Sequence, residues 1–149
     1  MAFGLGKLFK GKTKDAINQF SGNKDFLEGM CAICAWVASA SGGIDDAEYD
    51  KTMEVIQNNS SIGAAFTAAE IENVFGKMAP KTKTRSGKAE LKREITEAVE
   101  RDRTGAMGQA LMLAALDVAD EGGIDEAEEA ILREAAKLCH VDYDKISAA

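Results

Sequence analysis

The pattern of apolar residues predicts an all-α fold, and three features carry that expectation. Apolar residues make up 46% of the chain but aromatics only 6%, so Ala, Leu, Ile, Val and Met must do most of the filling. No stretch keeps the alternation of a half-buried strand. A single proline, Pro80, interrupts 149 residues. That length suits one domain, 1–149, and can bury a substantial core without staples.

The elements follow in order. Residues 1–14 set Phe3, Leu5, Leu8 and Phe9 among Lys7, Lys10, Lys12 and Lys14, with no acid before Asp15. This segment reads as a terminal helix or arm docked on the domain; the rival is a basic amphipathic stretch touching an anionic membrane surface. A helix is expected from about Asp25 to Ala40, where Phe26, Met30, Ile33, Val37 and Ala40 form one stripe. Leu27, Cys31, Cys34 and Ala38 form a second beside it, so this helix should be central. Gly42 and Gly43 stop it. The next helix starts at Asp45, buries Tyr49, Met53 and Ile56, and ends at Asn58 and Asn59.

Thr67 and Glu70 form a capping box for a helix with Ile71, Val74, Phe75 and Met78 on its apolar face. Residues 80–88 (PKTKTRSGK) read as a basic, solvated loop. Leu91, Ile95, Ala98 and Val99 mark another amphipathic helix. Thr104 is expected to cap a central helix through Ala119, seamed by Met107, Leu111, Ala114 and Val118. A helix from Asp125 to Leu138 and a short turn from Asp142 close the chain.

The strongest signal is internal. Residues 42–48 read Gly-Gly-Ile-Asp-Asp-Ala-Glu and residues 122–128 read Gly-Gly-Ile-Asp-Glu-Ala-Glu. Each copy joins a long apolar helix to an amphipathic one, which predicts a duplicated helix–turn–helix corner. The glycines permit positive φ, and Ile44 or Ile124 plugs the turn. Asp45 or Asp125 accepts from free N–H groups of the next helix, while Glu48 or Glu128 reaches back.

Capping alone accounts for those four acids, but two observations reach further. Seven acids accumulate between Asp117 and Glu129: Asp117, Asp120, Glu121, Asp125, Glu126, Glu128 and Glu129. Charges this dense repel unless solvated or neutralised. The second copy also overlays loosely on a calcium loop, with Asp117, Glu121, Asp125 and Glu128 at the first, fifth, ninth and twelfth positions and Gly122 at the glycine. Ala119 stands where a third oxygen ligand belongs, so this is no EF-hand. The resulting expectation is a weak site for Ca2+ or another divalent cation at the second corner, with Asp45 and Glu48 a poorer set at the first.

Other classes are disfavoured. A formal charge of −7 argues against nucleic acid, whose phosphates need a basic face, and favours cations or basic proteins. No apolar run has the length of a membrane span. Three cysteines without a secretory signal read as reduced thiols, which places the expectation in the cytoplasm. Cys31 and Cys34 form a C-x-x-C, which could be a thiol redox pair or, with Cys139 and the single histidine His140, could on paper bind zinc. Their place inside an apolar stripe favours buried core thiols instead. No phosphate loop, nucleophile elbow or histidine-based acid–base pair is present, so no catalytic residue is expected. Trp36 lies outside both stripes; it either packs between helices or, if exposed, anchors a partner, with Asp120 and Glu126 as further contact points.

The lysine-rich start, NKDFLEGMCAICAWVASASGGIDDAE, the TAAEI helix and LMLAALDVADEGGIDEAEEAILREAAKL together resemble the TerB tellurite-resistance family over almost the whole chain. The family's glycine–spacer–aliphatic–glutamate pattern falls on Gly42, Ile44 and Glu48, then on Gly122, Ile124 and Glu128. Its usual turn aspartate is replaced by Ser41 and by Glu121. The resemblance implies about seven helices arranged as two related halves. It also implies a non-enzymatic role in tellurite, phage, colicin and general stress resistance, through assembly with other Ter proteins, including the membrane protein TerC. The acidic turns would bind divalent metal. A rival to the adaptor is a metal sensor or buffer acting by its own conformational change.

Overall fold

The computed structural model describes residues 12–148. Most of the basic 1–14 segment therefore lies outside the described residues. Among those described there are helices and turns but no strand. A first helix, α1, occupies 12–18. It is followed by α2 (Lys24–Ala38), α3 (Asp46–Asn58), α4 (Ser60–Ala65), α5 (Ala68–Met78), a 3-10 turn (Ala79–Lys83), α6 (Arg85–Arg101), α7 (Ala106–Glu121), α8 (Glu126–Leu138) and α9 (Tyr143–Ala148). The expected seven are exceeded because α4 and α9, each little more than one turn, are helices in their own right.

Helix α2 is the axle of the molecule. Asn23 caps it, its side-chain oxygen accepting from Phe26 N–H at 3.0 Å. From Met30 to Val37 every residue is buried, because α5, α6, α7 and α8 all pack around it. Both apolar stripes read from the sequence are thereby used. Helix α7 is the second central rod, with Ala110 through Leu116 buried without a break. Close approach requires glycine at one point: a Cβ on Gly108 would run into the carbonyl of Cys139, so α7 meets the end of α8 backbone to backbone.

Three local expectations are corrected. The 80–88 stretch is not a loop. Pro80 is the second residue of the 3-10 turn, Thr82 is buried with its hydroxyl donating to Ala79 C=O at 2.7 Å, and Thr84 caps α6 by accepting from Gly87 N–H at 2.9 Å. At α7 the cap is shared. Gly105 takes the N-cap position at φ 81°, while Asp102 accepts from Met107 N–H at 2.7 Å and Thr104 from Ala106 N–H at 3.2 Å. These bonds hold the Asp102 carboxyl below its ordinary range, the Met107 N–H contributing most. Finally, Asn59 is not simply a terminator: its side chain opens α4, accepting from Ser61 and Ile62 N–H.

Helix α8 ends on His140, which adopts φ 58°. Val141 N–H donates to Ala136 C=O and His140 N–H to Lys137 C=O, the paired bonds of a left-handed helix stop. The single histidine thus terminates a helix at an exposed position.

Candidate functional site

The two corners share a sequence but not a shape. Helix α2 stops at Ala38, because Ser39 turns its hydroxyl back on Trp36 C=O at 2.7 Å and its N–H is split between Ala35 and Trp36 carbonyls. A hydroxyl that competes with the backbone in this way favours helix ends. Ala119 stands at the matching position of the second copy and offers no such competitor, so α7 continues to Glu121. The turns differ accordingly. Gly42 and Gly43 sit at φ 128° and 150°, whereas Gly122 is ordinary at φ −101° and only Gly123 is left-handed, at 81°.

Beyond the turns the two caps converge. Asp45 accepts from Glu48 N–H at 2.7 Å and Asp125 from Glu128 N–H at 2.8 Å. At the second corner Glu128 reciprocates, its Oε1 accepting from Asp125 N–H at 3.0 Å. At the first corner the Glu48 carboxylate leaves the cap open.

The carboxylates of the calcium-loop overlay are not gathered. Asp117, Asp120 and Glu121 line one groove with Asn58, Asn59, Ser60, Ser61 and Lys14. Glu128 lines another, and Asp125 is spent on its cap. The reason is that α7 continues as helix through Glu121, which keeps Asp117, Asp120 and Glu121 on one face, while Asp125 and Glu128 belong to the start of α8. Among the described residues no group of three or more His, Cys, Asp or Glu side chains is close enough to hold a metal ion. At the first corner Asp45 faces a depression with Asp46, Tyr49 and Lys83, away from Glu48. Glu126 is exposed at the start of α8.

Asp117 itself is half-buried and accepts from the Asn59 side-chain amide. Asn59 escapes the sequence reading as a site residue because Asn58 and Asn59 together read as a helix end. The capping signature Asn-Ser-Ser was the signal that could have revealed it.

The groove bearing Glu128 lies between the corners. It is a cleft of about 210 Å³ with a floor that includes Val37, Val55, Ala115 and Val118. Glu48, Lys51 and Glu128 stand on its rim, so the equivalent glutamates of both copies line the same cleft. The two grooves share a wall. On the last turns of α7, Asp117, Asp120 and Glu121 face one, while Val118, Ala119 and Gly122 face the other.

Trp36 offers no exposed anchor. It is 5% exposed and packs under Lys92, whose Nζ lies 5.3 Å from the ring centroid while pairing with Glu134 at 2.8 Å. A cation over an indole face adds modest attraction to the packing. Cys31, Cys34 and Cys139 are buried free thiols. Burial raises the Cys31 thiol well above its ordinary value and pushes Cys34 and Cys139 up to about 12, the opposite of an activated thiolate.

The model of the family described as tellurite resistance protein TerB matches residues 27–149, most of the chain. This chain belongs to the TerB family. The resemblance read from the duplicated corner is therefore confirmed at family level, and the all-α fold agrees with it. A search of curated proteins and one of solved structures found no match. No helix among the described residues is long and apolar enough to cross a membrane.

Proposed function

We propose that this TerB-family chain contributes to tellurite and stress resistance, including resistance to phage and colicins, as a non-enzymatic acidic module. It docks other Ter proteins, a TerC-like membrane protein among them, at the cytoplasmic face of the membrane. One observation carries the reading. Of the seven acids between Asp117 and Glu129, only Glu129 is ion-paired among the described residues, to Arg133 at 3.4 Å. Uncompensated like charge works against the compact state, and a basic partner surface relieves it. Asp120, Glu121 and Glu126, exposed and outside the capping bonds, are the contacts of choice.

The test is capture of cellular partners by the intact chain and by a D120K/E121K/E126K variant, with and without chelator. Chelator-independent capture, lost in the variant together with tellurite resistance, supports the adaptor. Equal capture and equal resistance by the variant would sink it.

A second reading is a divalent-cation sensor or buffer: Asp117, Asp120 and Glu121 line one groove but do not form a metal-binding group as they stand, so an ion would have to draw them together. Asn58, Asn59, Ser60 and Ser61 give it further oxygen donors, the ligand type hard cations prefer. Titration with Ca2+ and Mg2+ followed by amide shifts decides it. Residues 58–61 and 117–121 should move first, and no movement at millimolar ion removes the cation.

A further inference from the structure

The cleft between the corners joins an apolar floor to a rim carboxylate that nothing among the described residues pairs. We propose that it docks a partner's peptide segment in which one aliphatic side chain is flanked by lysines or arginines. This rests on the adaptor reading and says where the partner is gripped.

Size selects the anchor. The cleft holds about 210 Å³, less than the roughly 300–1,000 Å³ of sites for cofactors and drug-sized ligands. That space suits one large aliphatic side chain instead. Val37, Val55, Ala115 and Val118 offer it apolar contact, and Val55 is only half-buried while the cleft stands open. An apolar group that enters is drawn out of water and covers Val55 as well.

Charge selects what flanks the anchor. Glu48 is half-buried on the rim, and its carboxylate has no hydrogen bond or ion pair among the described residues. Glu128 is half-buried beside the same cleft, with one oxygen in its cap. The helices that carry them add the same sign. Helix α3 holds Asp46, Asp50 and Glu54 besides Glu48 against the single base Lys51, and α8 opens on Glu126, Glu128 and Glu129. A half-buried, unpaired carboxylate gains more from an incoming cation than a solvated one does. An acidic peptide is repelled by this rim, and a purely polar basic one leaves the floor wet.

The test titrates the intact chain with a synthetic pentapeptide, Lys-Lys-Leu-Lys-Lys with both ends blocked, and follows methyl and amide spectra. Shifts should concentrate at Val55, Val118 and Ala119 and should saturate. Replacing the central leucine by alanine should weaken binding by about tenfold or more, because most of the apolar anchor is lost. Ala119→Leu, which fills the cleft without changing charge, should abolish it. Glu48→Gln should weaken it less and flatten its dependence on salt. Equal binding of the leucine and alanine peptides overturns the proposal, as do shifts along Asp117–Glu129 that leave Val55 unmoved. Should Ala119→Leu disturb the fold, Glu48→Gln still decides: unchanged affinity and salt dependence overturn the docking site. Failure here is distinct from failure of the adaptor. If D120K/E121K/E126K loses cellular partners while Ala119→Leu keeps them, the acidic surface binds and the cleft does not.

Discussion

The first and second corners begin from nearly the same seven residues and end in the same cap, yet they solve the turn differently. At the second, α7 runs straight into Gly122, one left-handed glycine reverses the chain, and Asp125 and Glu128 close a reciprocal box. At the first, Ser39 ends α2 early, so more backbone must be crossed before α3. Two glycines then take conformations that other residues rarely adopt, and Glu48 turns away from the cap. A repeated motif thus fixes the endpoints of a bend, while its flanking residues choose the path. The first corner depends on backbone freedom; the second depends on side-chain hydrogen bonds.

That contrast can be broken by substitutions made in matched pairs. The largest expected difference is at the leading glycines. Gly42→Ala should destabilise by about 1–3 kcal/mol because φ 128° is strained for any residue with a Cβ. Gly122→Ala, at φ −101° with open space around it, should be close to neutral by denaturant titration. Equal costs would mean that the two turns are alike in solution.

Next comes the link between α4 and α7. Asn59→Ala removes the cap of α4 and the donor to Asp117 together, and should cost about 1–2 kcal/mol. Hydrogen-exchange protection should fall at Ile62 and Gly63 before it falls in α2. Unchanged protection there would show the cap to be unimportant.

The smallest effect sharpens the comparison of caps. Glu128→Ala should lose about 0.5–1 kcal/mol with the reciprocal bond, whereas Glu48→Ala should leave melting unchanged. A cost at Glu48 equal to that at Glu128 would show that the first box closes after all.

Much of the fold was legible because it is written in periodicity. The double stripes of α2 and the seam of α7 announced helices covered on several sides, and Thr67 with Glu70 announced α5 by its capping box, which is present. Short elements escaped. Helix α4 spans Ser60–Ala65, too brief for an amphipathic pattern, and the lysines of 80–88 masked the burial of Thr82 and Gly87. Trp36 lay outside both stripes, yet a helix surrounded by four others has no outside.

The site was less legible than the fold. Sequence spacing put Asp117, Glu121, Asp125 and Glu128 in one loop, but that grouping required a coiled turn where α7 in fact stays helical. Which carboxylate faces which groove depends on how α3, α4 and α7 cross, and no local pattern encodes that.

The amide of Asn59 holds one further consequence. Its nitrogen is tethered to Asp117 while its oxygen splints the opening turn of α4, so a single side chain answers to two masters. A cation that takes Asp117 would displace that nitrogen and leave the turn held by the Asn59 oxygen alone.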